Sequence, residues 1–209
     1  MIKARHTLIG KLVSEMFSVY RLNQAFTPVR FIGSITDKGL PVLMIANHFS
    51  WWDGFIQYRL NKQTYQRKLH VLMLEEQLKK FMILNQCGCF SIRKNSRSMI
   101  ESLSYSIDLL RDAGNMLLLF PQGEIQSLYM SPIKFESGLE YLLKHLQNDV
   151  QWVFNVNLVD FFSEKKPSLN VYFKTYELKS TDSGKEIEIA YNEYAEACRN
   201  NQQSLKNPA

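Results

Sequence analysis

A chain of 209 residues with 45% hydrophobic and 22% charged residues can bury one full α/β core and lies far from disordered or low-complexity composition. Its apolar runs stop well short of the roughly 18 uncharged residues that a spanning helix needs. Its three cysteines, two of them in Cys87-Gly-Cys89, exclude a disulfide scaffold and, with no second CxxC or His/Cys cluster, a zinc site. The net charge of +5 suits an anionic membrane surface or substrate without requiring either. Cysteine usage points to a reducing compartment. Glu15 interrupts the N-terminal apolar pattern, and no small-residue cleavage site of a secretory leader follows it.

In chain order, Leu8, Ile9, Leu12, Val13, Met16, Phe17 and Tyr20 recur at three- and four-residue spacing. They predict a helix over 7–26, ended by Pro28 and Gly33. The run Leu43 to Ala46, after Gly39 and Pro41, reads as a buried strand. Helices are expected over 53–65, 75–84, 95–113, 138–146 and 184–200, with Gly114 stopping the third of these. Strands are expected over 70–74, 90–93, 116–120, 152–158 and 171–178. No repeat or linker interrupts this alternation. It predicts a single α/β domain over 34–209, a mixed sheet flanked by helices. The amphipathic region ahead of it, over 1–33, either packs its apolar stripe on the domain or, with Lys3, Arg5, Lys11 and Arg21 beside the stripe, associates with a membrane, and the second is the expectation.

The stretch Asn47-His48-Phe49-Ser50-Trp51-Trp52-Asp53 follows the first strand and opens a helix. On one continuous helix, residues five apart diverge by about 140° and do not meet. A turn leading into the helix removes that objection. Asp53 can then reach the imidazole Nδ1 of His48 and leave Nε2 as a proton acceptor. The plainer alternative makes Ser50 or Asp53 a helix cap and His48 a loop residue. Trp51 and Trp52 read as packing or interfacial residues, Cys87 and Cys89 as buried thiols. His6, His70 and His145 have no recognisable partner in the sequence. There is no G-x-S-x-G elbow and no cysteine next to a base, so the sequence offers no activated serine or cysteine nucleophile.

Three further segments follow in order: Gly88 to Arg93, Phe120-Pro121-Gln122-Gly123-Glu124, and Lys134 to Gly138. His48, Arg93 and Gln122 all fall at the carboxyl ends of expected strands, where open α/β sheets collect ligands. With these in place the sequence resembles the glycerolipid (1-acylglycerol-3-phosphate) acyltransferase family from about Pro41 to Gly138. The NHxxxxD block is complete. The G-x-x-F-x-x-R-like block matches at Gly88, Phe90 and Arg93. The FPEG-T-R-S block matches at Phe120, Pro121 and Gly123, with Gln122, Glu124 and Ile125 in place of Glu, Thr and Arg. Segment 134–138 stands where the family has F-K-x-G, and the later V-P-[IV] block is degenerate at 153–156, with no proline.

The resemblance implies an O-acyltransferase that moves a fatty acyl group from acyl-CoA or acyl-carrier protein to a lipid hydroxyl. It makes His48 the general base, Asp53 its orienting partner, and Asn47, Gly88, Phe90, Arg93, Phe120, Pro121, Gln122, Gly123 and Glu124 substrate-binding. It implies no metal and no resident cofactor, a membrane surface as partner and no nucleic acid, on the cytoplasmic face of a membrane. Backbone N–H groups around Gly123 are expected to help hold the oxyanion. The altered third block favours an acceptor with less charge than lysophosphatidic acid, such as an amino-acid-linked lyso-lipid or a glycosylated isoprenoid. Arg93 is retained, and Lys94 or Arg97 stand close enough in sequence to compensate for the lost arginine. Three alternatives stay open: lysophosphatidic acid acylation in phospholipid synthesis, thioester hydrolysis by the same dyad, and a non-catalytic lipid-binding module at the membrane surface.

Overall fold

A computed structural model describes residues 1–93 and 97–205. Its strands are β1 (Val29–Ile32), β2 (Val42–Ala46), β3 (Lys68–Leu74), β4 (Cys89–Ile92), β5 (Asn115–Leu119), β6 (Gln151–Asp160) and β7 (Ser168–Tyr176). They form one sheet in the order β1-β7-β6-β2-β5-β3-β4. Only β6 and β7 are antiparallel; every other neighbouring pair is parallel. The expected mixed sheet is present. β1, absent from the sequence reading, joins its edge and ties the end of the N-terminal region to the domain. Lys94 and the side chain of Arg97 lie outside the described residues.

Helices cover both faces, so the central strands are buried on both sides and read as continuous apolar runs. Alternation then sorts the side chains. Leu43 and Ile45 of β2 pack with α5 (Arg97–Leu109), α6 (Gly138–His145) and α7 (Gly184–Gln203). Val42, Met44 and Ala46 pack on the other face with α3 (Asp53–Gln63) and α2 (Leu22–Ala25). The Ser183–Glu186 capping box opens α7, satisfying backbone N–H groups that a helix start leaves unpaired.

The N-terminal helix runs from α1 (Leu8–Glu15) through a π-helical turn (Met16–Arg21) into α2. It packs on the domain by Gly10, Ser14, Ser18 and Leu22, a strict four-residue repeat. In a regular α-helix such a repeat drifts by about 40° per step; the wider π turn slows that drift and keeps the face in register. Gly10 is where the backbones approach most closely, since a Cβ there would meet the Gln86 carbonyl oxygen at 1.8 Å. The consequence is an inverted helix: its small and polar face is buried, and Leu8 (74% exposed), Leu12 (62%) and Tyr20 (63%) point outward. Residues ahead of the helix dock along the start of the β4 edge. Ile2 N–H donates to Ser91 Oγ at 2.7 Å, and Gly88 N–H donates to Arg5 O at 3.0 Å. No helix among the described residues is long and apolar enough to cross a membrane.

Candidate active site

β2 and β5 lie side by side and parallel, with Ile45 opposite Leu119, so the segments leaving their carboxyl ends emerge together. Asn47 fixes the exit from β2. Its Nδ2–H donates to Asn157 O at 3.0 Å, and Asn157 N–H donates to its Oδ1 at 2.8 Å. A side-chain amide thus continues the β2–β6 ladder for one more step.

The chain then turns around Asp53, which is fully buried at the first position of α3. Asp53 Oδ2 accepts from Phe49 N–H at 2.8 Å and Ser50 N–H at 3.0 Å, and lies 2.6 Å from His48 Nδ1. Oδ1 accepts from Ser50 Oγ–H at 3.1 Å. The turn therefore brings together two residues that a continuous helix would separate. Asp53 closes this turn and engages His48 at once from the first position of α3; the N-cap position is Trp52, with no side-chain cap bond. Burial raises the Asp53 carboxyl above its ordinary range, while the bond to His48 and the two amide N–H groups pull the other way. As a carboxylate Asp53 only accepts, so Nδ1 carries the proton and Nε2 is left as the base.

Phe120, from the β5 exit, stacks on the His48 ring at 4.2 Å with 14° between planes. The loop beyond it grips the His48 backbone. His48 N–H donates to Gln122 Oε1 at 2.6 Å, and Gln126 N–H donates to His48 O at 2.9 Å. Gln122 Nε2–H donates to Gln126 Oε1 at 3.1 Å, closing the clamp. Gly123 sits at φ +68°, a conformation glycine adopts without strain. Its N–H is already donated to Phe120 O at 3.1 Å. Of the backbone N–H groups around Gly123, this one is therefore already engaged.

A cavity of about 630 Å³ opens beside His48, with Phe120, Pro121, Gly123 and Glu124 in its wall. The other expected binding residues are placed elsewhere. Phe90 is fully buried against Tyr105, and Gly88, at φ +97°, packs on the Leu69 carbonyl and His6; neither lines the cavity. Gln122, 6% exposed, faces the His48 backbone. Arg93 donates to Glu75 Oε1 at 2.6 Å, an oxygen it shares with Lys79 at 2.7 Å. These two cations hold the Glu75 carboxyl down at about 2, with Arg93 the larger cause.

Gln126 and Glu75 are absent from the sequence reading as site residues, and Ser50 enters it only as a helix-cap candidate. For Glu75 a signal exists: it follows β3 just as Arg93 follows the neighbouring parallel strand β4. His6 and His70 do have partners. Their rings meet edge to face at 4.6 Å, and His70 Nε2 lies 3.1 Å from Asn115 Oδ1. Burial pushes the Cys89 thiol up to about 12, far from a nucleophilic thiolate at neutral pH. Among the described residues, no group of three or more His, Cys, Asp or Glu is placed to hold a metal ion.

A family model for acyltransferases matches residues 28–153, which carry every element of this site from β1 to the first residues of β6. The chain belongs to that acyltransferase family. It is an enzyme that transfers acyl groups. No curated protein is similar enough in sequence to count as a match. The crystal structure of PlsC, the 1-acyl-sn-glycerophosphate (LPA) acyltransferase from Thermotoga maritima, superposes with a TM-score of 0.59 at 15% identity. The superposition covers 93% of this chain and 80% of PlsC. At that identity the likeness speaks for the fold, including the helix ahead of the sheet.

Proposed function

We propose that this acyltransferase moves a fatty acyl group from an acyl thioester, acyl-CoA or acyl-carrier protein, to the hydroxyl of a lipid at a membrane surface. The observation that carries the reading is the 2.6 Å contact between His48 Nδ1 and Asp53 Oδ2, beside a mostly apolar cavity. His48 Nε2 takes the acceptor proton as the hydroxyl oxygen attacks the thioester carbonyl. The tetrahedral intermediate collapses, the C–S bond breaks, and the imidazolium returns the proton to the departing thiolate. Asp53 holds the tautomer and stabilises the imidazolium. The residues of this chain complete the cycle without a resident cofactor.

The acceptor carries less negative charge than lysophosphatidic acid. Among the described residues lining the cavity, Glu124 and Glu136 carry carboxylates and none is a Lys or Arg. Glu136 follows Phe135 where the F-K-x-G block has lysine, and Ile125 replaces an arginine. A fixed carboxylate a few ångströms from a phosphate opposes its binding.

Membrane attachment rests on the inverted helix. Its exposed stripe, with Lys11 and Arg21 exposed on the same helix and Lys3 and Arg5 exposed just ahead of it, suits an interfacial helix, apolar toward the acyl chains and basic toward anionic headgroups. The proposed thioester donor and the basic residues around the stripe support a reading on the cytoplasmic face.

The test is thiol release from palmitoyl-CoA by the purified protein, with and without an acceptor panel of lysophosphatidic acid, monoacylglycerol and a lyso-aminolipid. Acceptor-dependent release with ester formation supports transfer. Acceptor-independent release means hydrolysis, and no release with any acceptor overturns the reading. A kcat/KM for lysophosphatidic acid far above every less charged acceptor overturns the acceptor assignment.

A further inference from the structure

The cavity beside His48 touches both faces of the sheet. On β3, Leu69 and Val71 point to the α3 side and Leu72 to the α5 side, and all three line the same cavity. Successive strand residues face opposite ways, so one cavity reaches both only by passing around the strands. The crossing is at their carboxyl ends: Leu74, Ile92 and Leu119, the last residues of β3, β4 and β5, are in its wall. His48 and Phe120 also sit at this crossing.

Two arms therefore meet at the base. The wall on one side, between α3 and the N-terminal helix, is formed by Phe55, Leu69, Val71 and Leu84 with Ser14, Tyr58 and Cys87. The other runs beneath α5 and α6 along Leu72, Ile92, Met99, Leu103 and Leu139. Glu136 and Ser137 line it where the chain enters α6.

We propose that the arms hold two hydrocarbon chains at once: the donor's fatty acyl chain in the α1–α3 arm, and the acceptor's own alkyl chain in the α5–α6 arm. This rests on direct acyl transfer as read above. Direct transfer requires the thioester carbonyl and the acceptor hydroxyl to meet at His48 together, so both chains are present in one complex. An acyl donor is pure hydrocarbon inward from its carbonyl, and the described lining of the α1–α3 arm carries no charged side chain. An acceptor lipid brings a polar group beside its hydroxyl, and Glu136 and Ser137 border the α5–α6 arm. The acceptor class that follows is a single-chain lipid alcohol rather than a water-soluble alcohol.

Photo-cross-linking on the unaltered full-length protein tests this. The probes are a monoacylglycerol with a terminal diazirine and a non-transferable thioether analogue of palmitoyl-CoA with a terminal diazirine. Peptide mapping is expected to place the first on the segments carrying Ile92, Met99, Leu103 and Leu139, and the second on those carrying Phe55, Val71 and Leu84. Kinetics give an independent arm. Met99→Trp should raise KM for monoacylglycerol by about tenfold, the scale of a few mismatched methylenes, and leave KM for palmitoyl-CoA unchanged; Leu84→Trp should do the reverse. Both probes on one arm, or both KM values moving together in a folded variant, overturn the assignment. Absent thiol release with partitioned labelling instead overturns acyl transfer and leaves the two-chain site standing.

Discussion

Gln122 holds the backbone N–H of His48 at 2.6 Å and passes its own amide N–H to Gln126 at 3.1 Å. Gln126 Nε2–H then donates to Glu124 Oε1 at 3.3 Å. The chain of donors runs one way, from the His48 backbone to a carboxylate. Gln122→Ala leaves a buried N–H without its partner, a loss of about 1–3 kcal/mol, and loosens the base. It should lower kcat with little change in either KM, a split that a lost acceptor ligand would not produce. Gln122→Glu still accepts from His48, but its second oxygen faces Gln126 Oε1. Turning the Gln126 amide relieves that contact and aims its oxygen at Glu124. Glu124→Thr should therefore rescue Gln122→Glu, and a double-mutant cycle on kcat measures the coupling. Additive effects would refute this account of the relay.

His48→Ala should lower transfer by about 10²–10⁴-fold without unfolding the protein. Asp53→Asn is the sharper probe. An Asn oxygen in place of Oδ2 can accept the same three N–H bonds, and its Nδ2–H can donate to Ser50 Oγ, so the turn survives. What disappears is the charge facing the imidazolium. A loss of similar order with an unchanged melting temperature is expected. Near-normal turnover in folded Asp53→Asn would show that the charge has no part in catalysis.

The legible parts of this protein are those whose chemistry is local in sequence. The mixed sheet could be read because segments such as those around Met44 and Leu118 are apolar throughout, and the dyad because six consecutive residues hold both partners. β1 escaped because Val29–Ile32 is a short edge strand of mixed burial, stabilised by β7 rather than by its own pattern. The direction of the N-terminal helix escaped for a related reason. Periodicity shows that a helix has an apolar face, not which face meets the domain. Here close approach at Gly10 and the small side chains of Ser14 and Ser18 decided the question. Gln122 was legible as a loop residue of the third block, but its bond to His48 spans 74 positions and no local pattern encodes it.

The outward stripe on the N-terminal helix makes a direct prediction. Burying a leucine side chain in lipid is worth roughly 1.5–3 kcal/mol. Leu8→Gln with Leu12→Gln should therefore cut binding to anionic vesicles by well over about tenfold. Both side chains are exposed, so the melting temperature should not fall. Flotation with phosphatidylglycerol vesicles reads the effect. Unchanged flotation would assign the membrane contact to another surface.

Burial sets an acid limit on stability. His70 is 5% exposed, and burial, with His6 and Lys68 adding repulsion, lowers its pKa from 6.5 to about 4; Asn115 and Asp112 oppose the shift. The unfolded chain takes the proton near pH 6.5 and the folded chain only near pH 4. Its contribution is full above the upper value and is lost as the pH falls through this window, by up to about 3 kcal/mol. His70→Gln should flatten the decline in urea midpoint between pH 7 and 4.5. A slope equal to that of the unaltered protein would place the acid sensitivity elsewhere.

The acceptor assignment predicts a gain of function. Glu124 and Glu136 face the cavity, and Ile125 stands where an arginine would form a bidentate clamp on phosphate. Ile125 is also 56% exposed, so an arginine there meets no packing obstacle. Ile125→Arg with Glu124→Thr removes one negative charge and adds one positive charge; His48, Asp53 and Gln122 are kept, and of the relay only the 3.3 Å bond from Gln126 to Glu124 is lost. The double variant should raise kcat/KM for lysophosphatidic acid by about tenfold or more, the size expected of a new charge-assisted pair at a partly exposed site. The same change should leave monoacylglycerol turnover within about threefold, because a neutral glycerol hydroxyl gains nothing from the new charge. Lysophosphatidic acid kinetics at low and high salt separate the causes: an electrostatic gain shrinks as salt rises, whereas a gain from altered loop packing does not. No gain at low salt would mean that phosphate exclusion does not originate in this loop.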